Sequence, residues 1–559
     1  MEDQDKIRWR IPEDTGVGVT KLAETIVAAR GVAPQDFFDL DYVRLADPFL
    51  LQDMDKAIEH LLKVRARKGK VAIYGDYDID GLTATALLLD ALTSFGFDVM
   101  SYIPDRFEEG YGLHAPALQH LIDAGVDTVV TVDCGISATS VIEEMSALGL
   151  HIVVTDHHTV PEVEPQGAVA LINPLRALSD YPERALAGVG VAFALVRALQ
   201  TRDPQSMPVG QEKWLLDLVA LGTICDVVPL QGENRLLAQY GLKVARKSRR
   251  PGFRALAEVS KVEMSRLVAS DFGFRFGPRL NAAGRLEHAA TALALLTSQD
   301  PPSARSAAER LDDLNMERRR TTETIQAEVF AQADAYAKDA ILVLSSPDWS
   351  HGVVGLVASR AVEKFGKPTI LLQEEGEFSK GSARSVGDFS IIEALRACDH
   401  LLERYGGHRA AAGMTLRTQD VSQLRELLNQ NVKKKHLVQM EREASADAWL
   451  HSDYVTMDGL DQLEKLEPTG QANPAPIFYV RSILDAVKLV GKEGDHAQIT
   501  FAVGGNLQRA IAFQAPSKWP FFNVGTEVEL LVAIRENEWQ GVRRAQLEVL
   551  QAREYVNGD

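Results

Sequence analysis

Cysteine is scarce in this sequence, with three residues among 559, and no apolar run approaches the roughly 18 residues of a membrane-spanning helix. Three cysteines cannot build the disulfide framework that stabilises many secreted chains. The first residues also lack the basic and apolar stretches of a signal peptide. Together these absences predict a cytoplasmic protein that makes no membrane contact.

Positive charge is also in short supply. The chain has 60 Lys and Arg against 78 Asp and Glu, for a formal net charge of −18. This balance argues against a protein that coats nucleic acid nonspecifically, although it permits a local basic groove. Basic clusters occur at residues 65–70, 246–250, 317–320 and 433–436, and each is typical of a solvated helix face. Charge alone therefore leaves the partner open.

The order of apolar patterns predicts an α/β protein with several domains. From about residue 70, strand-like runs alternate with helical patterns, which is typical of a parallel sheet with crossover helices. Residues 303–338 contain no Gly or Pro and carry apolar residues at helical spacing. We predict four parts: a catalytic domain with an N-terminal extension (1–302), a connecting helix (303–338), a smaller α/β domain (339–436) and an all-β module (437–559).

The stretch GDYDIDG places Asp76, Asp78 and Asp80 at alternate positions and ends on Gly81. Three close carboxylates repel one another unless a cation lies between them. A calcium loop of the EF-hand type needs a Glu at its twelfth position, and that position is Leu87. The run instead lies between a strand pattern and a helix pattern. A solvated acidic turn remains the alternative for this stretch taken alone.

Three further segments carry metal-binding residue types just beyond an apolar run. A lone Asp after a strand is often a helix N-cap, but the carboxyl ends of parallel strands meet at one edge of a sheet. Carboxylate and imidazole ligands suit Mn²⁺, Mg²⁺, Zn²⁺ or iron, and a carboxylate-bridged metal pair is a usual device for cleaving phosphate esters. The additional candidates are Asp133, Asp156, His157, His158 and Asp226.

At this point the motifs carry a family resemblance. GDYDIDG, VDCG, TDHH and CDVVPL resemble the four motifs of the DHH phosphoesterase superfamily, and YGGHRAAAG resembles the signature of the DHH-associated domain. Longer stretches, among them IPDRFEEGYGL, FGPRLNAAGRLEHA and DWSHGVVGLVASR, are similar to the RecJ family of bacterial exonucleases. The resemblance runs from about residue 45 to the C-terminus. It implies that the last module is an OB-fold.

The resemblance implies a role for each motif residue. Asp78, Asp80, His157 and Asp226 would bind metal, and Asp133 would bridge two ions. His158 would face the scissile phosphate or order the attacking water, while Asp156 would orient a metal-bound His. Asp76 would be either a further ligand or the cap of the turn. The implied metal ligands are Asp76, Asp78, Asp80, Asp133, His157 and Asp226, and the implied catalytic residues are Asp133, Asp156 and His158.

One position departs from the family pattern. Many relatives have a metal-binding His four residues before Asp78, and this chain has Tyr74 there. A phenol is a poor metal ligand at neutral pH. We therefore expect the first metal site to be weaker or more open, with Asp76 helping to complete it.

The resemblance also implies phosphate-binding residues. Arginine suits this role because its guanidinium makes forked contacts to phosphate oxygens. Three residues would hold the 5′ phosphate, three would grip phosphates near the cut, and a His of the second domain would approach the substrate. For Arg279 and Arg285 an ion pair at a domain interface is the alternative. In that order the residues are Arg106, Ser382 and Arg384; Arg279, Asn281 and Arg285; and His408.

The implied function is a 5′-3′ exonuclease that degrades single-stranded DNA to mononucleotides with two Mn²⁺ or Mg²⁺ ions, in recombination and repair. The implied partners are single-stranded DNA and, as candidates, a single-strand-binding protein and a helicase, with the enzyme itself a monomer. The alternatives are a DHH phosphodiesterase of short oligonucleotides or cyclic dinucleotides, and a catalytically inactive DNA-binding scaffold. Aromatics of the last module could stack on bases, although core packing is their default: Tyr479, Phe501, Phe513, Trp519 and Trp539.

Overall fold

The computed structural model describes residues 7–106, 108–431, 442–539 and 542–555. The basic cluster at 433–436 lies outside these ranges. Within them, no helix combines the length and the apolar character needed to cross a membrane.

The first domain is built on a five-stranded, fully parallel sheet in the order β3-β2-β4-β5-β6. Alternate residues of its strands enter two hydrophobic cores, one on each face, as Ile73 and Tyr74 do. Its elements and those preceding it are β1 (Ile7–Arg10), α1 (Leu22–Ala29), α2 (Pro34–Phe38), α3 (Met54–Ala66), β2 (Lys70–Gly75), α4 (Ile79–Ser94), β3 (Asp98–Tyr102), α5 (Ala115–Asp123), β4 (Val126–Val132), α6 (Thr139–Ala147), β5 (His151–Thr155) and β6 (Ala170–Ile172).

A helical layer completes the first domain and buries one face of the sheet. It includes a π-helical turn, Phe272–Phe276, between two of its helices. The helices are α7 (Gly188–Arg202), α8 (Leu216–Cys225), α9 (Gly232–Ala245), α10 (Pro251–Ser260), α11 (Ala269–Asp271), α12 (Gly277–Leu286) and α13 (Ala290–Thr297).

A single 33-residue helix, α14 (Pro301–Ala333), leads to the second domain. Asp300 caps it by accepting a hydrogen bond of 2.9 Å from the Ser303 N–H, and Pro301 occupies its first position. The second domain is a five-stranded mixed sheet in the order β10-β11-β9-β8-β7. Its elements are β7 (Leu342–Ser346), α15 (His351–Phe365), β8 (Thr369–Glu375), β9 (Phe378–Arg384), α16 (Ile391–Arg396), β10 (Leu402–Gly407), β11 (Ala411–Arg417) and α17 (Val421–Asn431).

The C-terminal module is a five-stranded barrel, closed because β14 pairs with both β15 and β17. Tyr479, Phe501 and Trp519 are buried in it, Phe513 is 44% exposed, and the Trp539 side chain lies outside the description. The elements are β12 (Arg442–Ser445), β13 (Ala448–Trp449), α18 (Met457–Glu464), β14 (Phe478–Val490), β15 (His496–Val503), β16 (Asn506–Ala512), α19 (Ala515–Lys518), β17 (Glu527–Trp539) and β18 (Val542–Glu554). The predicted fold class is confirmed.

The N-terminal segment has a location that the sequence-based division did not anticipate. The sequence patterns group it with the first domain, but β1 pairs with β12, and α1 contributes Ile26 and Val27 to the core of the barrel module. Arg30 forms an ion pair with Asp447 at 2.7 Å. The segment therefore packs on the C-terminal module before the chain enters the first sheet.

Arg235 of α9 joins these parts of the molecule. Its side chain is 2% exposed, and its guanidinium lies 3.7 Å from the centre of the Phe37 ring. It also donates to four consecutive carbonyl oxygens of the C-terminal module, those of residues 465–468, at 3.0–3.4 Å. One buried cation thus contacts all four backbone carbonyls, of which those of Leu466 and Pro468 also accept from the Asn473 side-chain amide.

Arg235→Met is expected to loosen the C-terminal module. The change removes four charged hydrogen bonds and leaves the Lys465 and Glu467 carbonyls without a side-chain donor, which costs about 2–4 kcal/mol. Deuterium uptake of peptides from residues 446–480 should accelerate. Arg202→Ala, which removes an exposed arginine paired with Asp55, is the control and should change nothing. Unaltered exchange in Arg235→Met would contradict this role.

Candidate metal centre

The candidate ligands lie at the carboxyl edge of the first sheet. Asp76, Asp78 and Asp80 follow β2, Asp133 follows β4, and residues 156–158 follow β5. These three strands are adjacent in the sheet, so their ends meet. Asp226 does not follow a strand; it is the C-terminal capping residue of helix α8.

His157 lies at the centre of the cluster. Its Nε2 atom is 3.1 Å from Asp133 Oδ1 and 3.7 Å from both Asp80 Oδ2 and Asp226 Oδ2. Two sets of potential ligands share no residue: Asp80, His157 and Asp226, and Asp76, Asp78 and Asp133. Because Asp133 lies against His157, the two sets are adjacent, which is the arrangement a pair of metal ions requires.

Asp80 is held by the N-terminus of α7. Its two carboxylate oxygens accept the Gly188 and Val189 N–H groups at 2.5 and 2.9 Å, where the helix dipole favours negative charge. Gly188 is needed for another reason, since a Cβ there would lie 2.8 Å from Asp133 Oδ1. The helix N-terminus thus packs directly under the carboxylates.

Asp133 adopts an uncommon backbone conformation, with φ at 61°, which non-glycine residues rarely occupy. Its Oδ1 atom is buried and has no hydrogen-bond partner among the described residues, and the same is true of Asp76 Oδ1. Unpaired buried carboxylate oxygens are costly. A divalent cation would satisfy both, so the donor set fits hard ions such as Mn²⁺ or Mg²⁺.

Electrostatics support the same interpretation. Burial, followed by repulsion from neighbouring aspartates, raises the pKa of Asp76 and Asp133 well above its usual value. Burial and repulsion from Asp80 and Asp78 raise the pKa of Asp226 to about 9. The cluster therefore retains protons when no cation is bound.

Asp156 behaves in the opposite way. Burial opposes its ionisation, but hydrogen bonds from the His158 ring and from backbone N–H groups outweigh burial and lower its pKa. Asp156 Oδ1 accepts the His157 and His158 N–H groups at 2.7 and 3.0 Å, and it lies 2.8 Å from His158 Nδ1. The contact outweighs burial and raises the pKa of His158. Asp156 thus orients the two-histidine turn.

Tyr111 is a neighbour that the sequence reasoning did not single out. Its hydroxyl lies 3.2 Å from His158 Nδ1 and donates to the Asp133 carbonyl oxygen at 3.4 Å. It belongs to the stretch IPDRFEEGYGL, in which the resemblance assigns a role to Arg106 but none to Tyr111. The similarity of the whole stretch is the sequence signal that could have identified Tyr111.

Tyr74 does not face the metal centre. Its side chain is buried in the core on the α5 and α6 side of the sheet, where its hydroxyl donates to the Gly112 carbonyl oxygen at 3.1 Å. The ring stacks on Tyr102 with centroids 5.1 Å apart. The phenol therefore lies away from the ligands, whereas Asp76 lies among them.

Several predicted phosphate ligands converge where the first two domains meet. Arg285 Nη1 donates to the Gly352 carbonyl oxygen of α15 at 3.3 Å, and a Cβ on Gly355 would lie 3.0 Å from Arg384 Nη2 and 3.2 Å from Ser382 Oγ. The Arg106 guanidinium lies over the Tyr77 ring at 5.0 Å.

These cations also repel one another. Burial and repulsion from Arg106, Arg318 and Arg384 lower the pKa of Arg285 to about 10. Burial and repulsion from Arg106 likewise lower the pKa of Arg384. Arg318 belongs to the basic cluster that the sequence suggested was a solvated helix face. The interface therefore has an excess of positive charge suited to an anion.

The remaining predicted contacts are placed differently. Arg279 forms an ion pair with Asp312 of α14, with Nε and Oδ1 2.8 Å apart. Asn281 lines an interdomain cavity of about 920 Å³, together with Arg285 and Arg318. His408 is exposed in the turn between β10 and β11. Cys134 and Cys225 are free thiols, and neither is in a candidate ligand group among the described residues.

Three family models match consecutive parts of the chain: the DHH family N-terminal domain at residues 70–223, the DHHA1 domain at 338–434 and the RecJ OB domain at 446–551. The class defined by the fold and the site is therefore a DHH-type protein with a carboxylate and histidine centre.

The chain is also similar to particular relatives. It is 37% identical to the single-stranded-DNA-specific exonuclease RecJ of Dickeya dadantii, over 94% of this chain and 95% of that one. The crystal structure of RecJ in complex with Mn²⁺ from Thermus thermophilus superposes with a TM-score of 0.83 at 30% identity, covering 99% of this chain and 80% of that one. The corresponding Mg²⁺ complex gives 0.77 at 28% identity, covering 99% and 79%.

The chain belongs to the RecJ family. The resemblance seen in the motifs is thereby confirmed over nearly the full length.

Mn²⁺ is expected to raise the melting temperature of the chelator-treated protein by a few degrees, more at pH 8 than at pH 6. Carboxyls with a raised pKa keep protons in the folded state that the unfolded state has released. Their contribution therefore destabilises the metal-free protein increasingly as pH rises from about 4 toward the folded pKa, which is about 9 for Asp226. The cation replaces those protons.

Differential scanning fluorimetry with and without Mn²⁺ measures this effect. Asp226→Asn should reduce the Mn²⁺-dependent increase and flatten the pH dependence. Equal melting temperatures with Mn²⁺ and with chelator at pH 8 would contradict a metal centre here.

Proposed function

We propose that this protein is a 5′-3′ exonuclease that degrades single-stranded DNA to mononucleotides. The observation that carries the proposal is the location of two adjacent ligand sets beside an interdomain cluster of arginines. The first can hold two divalent ions, Mn²⁺ or Mg²⁺, and the second can hold phosphates. The RecJ family membership supports the same interpretation.

Three residues of the metal centre have separate proposed roles in cleavage. Asp133, positioned between the two ligand sets, bridges them, and Asp156 fixes the two-histidine turn. His158 lies at the open side of the cluster, where it faces the scissile phosphate or orders the attacking water. Bound divalent ions would supply an activated water at neutral pH and would stabilise the charge that develops on the phosphate.

The proposed 5′-3′ direction of cleavage depends on arginines that can bind the 5′ phosphate. Arg106, Ser382 and Arg384 are proposed to hold the 5′ phosphate, next to the N-terminus of α15, whose dipole favours an anion. Arg285 and Asn281 line the cavity, where they can contact phosphates near the cut, and Arg285 also donates to the Gly352 carbonyl of α15. Because Arg279 is paired with Asp312, its proposed role is to fix α12 against α14 as well as to reach the substrate.

Further proposals concern the cellular role, the location, the oligomeric state and the partners of the protein. We infer a role in recombination and repair, a cytoplasmic location, a monomeric enzyme, and a single-strand-binding protein and a helicase as partners. A phosphodiesterase limited to dinucleotides is disfavoured by the additional barrel, which forms one wall of the cavity. An inactive scaffold is disfavoured by the full set of carboxylate and imidazole ligands.

Asp133→Asn should lower the rate of single-strand degradation by about 100-fold or more, because loss of the bridging ligand disrupts both metal positions. A 5′-labelled strand and a 3′-labelled strand, each digested with Mn²⁺, measure rate and polarity together. The proposed polarity releases the 5′ label first, as a mononucleotide.

The control is Asp127→Asn. Asp127 lies at the opposite end of β4 and pairs with Arg67, so its loss should leave the rate unchanged. Undiminished cleavage by Asp133→Asn would overturn the two-metal assignment. Digestion of dinucleotides but not of long strands would favour the alternative phosphodiesterase.

Arg384→Gln should reduce discrimination between 5′-phosphorylated and 5′-hydroxyl strands, with Arg106 and Ser382 left to hold the phosphate. A hydrogen bond from a charged donor is worth about 1.5–3 kcal/mol, so kcat/KM on the phosphorylated strand should fall about 10- to 100-fold. Arg417→Gln removes an exposed arginine from the neighbouring strand β11 and serves as the control. An unchanged preference for the phosphate would exclude Arg384 from this contact.

A further inference from the structure

Phe274 is an exposed aromatic side chain in an unusual position. It lies in the middle of the π-helical turn Phe272–Phe276, whose flanking residues Phe272 and Phe276 are fully buried. The Phe274 ring, in contrast, is 82% exposed. π-helical turns are rare and are often found at functional sites, because the extra residue redirects a side chain. The two buried phenylalanines anchor the turn and leave the third outside the core.

The ring lines the interdomain cavity. Ile79 and Cys225, the neighbours in sequence of Asp78, Asp80 and Asp226, line the same cavity. Ile534, Arg535 and Arg543 of the barrel line it as well. Residues beside the candidate metal ligands and residues of the C-terminal module therefore share one cavity.

Phe274 is the one aromatic among the described residues that line this cavity. The next helix, α12, carries Asn281 and Arg285 along the same wall. A polar group that contacts phosphates and a ring that contacts bases are the two components of a single-strand groove. An isolated exposed apolar residue needs no explanation, but this one shares a cavity with two proposed phosphate contacts and with the barrel.

We propose that Phe274 stacks on a base of the bound strand between the metal centre and the barrel. Any base offers a π face, so such a contact is tolerant of sequence, as an exonuclease requires. It also favours single strands, because a paired base within a duplex already has both faces covered by its neighbours. The inference rests on the proposed function, since it assumes that the strand passes through this cavity.

Equilibrium binding tests the ring without requiring cleavage. Fluorescence anisotropy of a labelled 5′-phosphorylated oligonucleotide, in chelator, gives Kd for the wild type and for Phe274→Ala, Phe274→Leu and Phe274→Trp. The Ala and Leu variants should bind about 5- to 100-fold more weakly, the range expected for loss of one base–aromatic stack, and Trp should restore affinity. Phe274→Leu keeps an apolar side chain, so it separates stacking from simple burial.

A positional scan then identifies the base. A series of strands, each with one abasic nucleotide at a different distance from the 5′ end, is compared for the wild type and Phe274→Ala. The wild type should lose affinity most at one position, and the variant should lose nothing further there, because ring and base form a single coupled contact. Trp214→Ala, which removes an exposed aromatic of the same domain outside the cavity, should preserve the wild-type profile.

The outcomes separate this inference from the proposed function. If the wild type binds and degrades single strands while Phe274→Ala matches it in Kd and in the abasic profile, the stacking role is excluded and the exonuclease proposal stands. If the wild type leaves single strands uncut with Mn²⁺, the exonuclease proposal fails, and the binding series still decides whether Phe274 contacts a base. Equal loss at every abasic position in both proteins would also exclude the stack.

Discussion

Mutual repulsion among buried carboxylates is the constraint on which the rest of this structure depends. Asp76, Asp80, Asp133 and Asp226 are brought together at one sheet edge, and burial makes each reluctant to carry charge. A fold can maintain such a cluster only by supplying compensating positive potential. The N-terminus of α7 does so for Asp80, and protons or cations must do so for Asp133, whose Oδ1 atom has no hydrogen-bond partner among the described residues. The edge of the sheet therefore depends on compensating positive charge, and this same need makes it a binding site for cations.

A second unfavourable cluster, of opposite sign, lies beside the first. Burial and repulsion from Arg106, Arg318 and Arg384 lower the pKa of Arg285, and the four side chains come from three parts of the fold: the first domain, α14 and the second domain. The two clusters compensate each other only in part: Arg106 acts to lower the pKa of Asp76 and Asp78 acts to raise that of Arg285, yet burial and like-charge repulsion outweigh both effects. A nucleic-acid phosphate would compensate the arginines, and its associated divalent cations would compensate the carboxylates. The two strained clusters are therefore complementary to one kind of ligand.

Sequence reasoning succeeded where chemistry is local and failed where it depends on distant packing. Strand-like runs ending in Asp or His predicted the shared sheet edge, because parallel strands place their carboxyl ends together. No comparable rule places residues 22–29 in the barrel core, since that contact spans more than 400 residues of sequence. Tyr74 illustrates a subtler limit. Strand alternation sends its side chain to the face opposite Ile73, and the strand pattern alone did not reveal which face bordered the ligands. Phe274 was hidden by its neighbours, because three alternating phenylalanines resemble a buried strand.

The net negative charge of the chain can be reconciled with a polyanionic substrate. Many of its exposed arginines are paired with acids, as Arg67 is with Asp127 and Arg417 is with Glu377, so the outer surface offers a phosphate backbone little attraction. Attraction for phosphate is concentrated at the interface between the first two domains, which in the proposed function is reached by the 5′ end of a DNA strand. The metal-free carboxylate cluster beside it would repel phosphate, and bound cations would reverse that sign. Metal binding and strand binding are therefore thermodynamically linked: each should strengthen the other by the same factor, and the enzyme engages DNA productively only when both charges are in place.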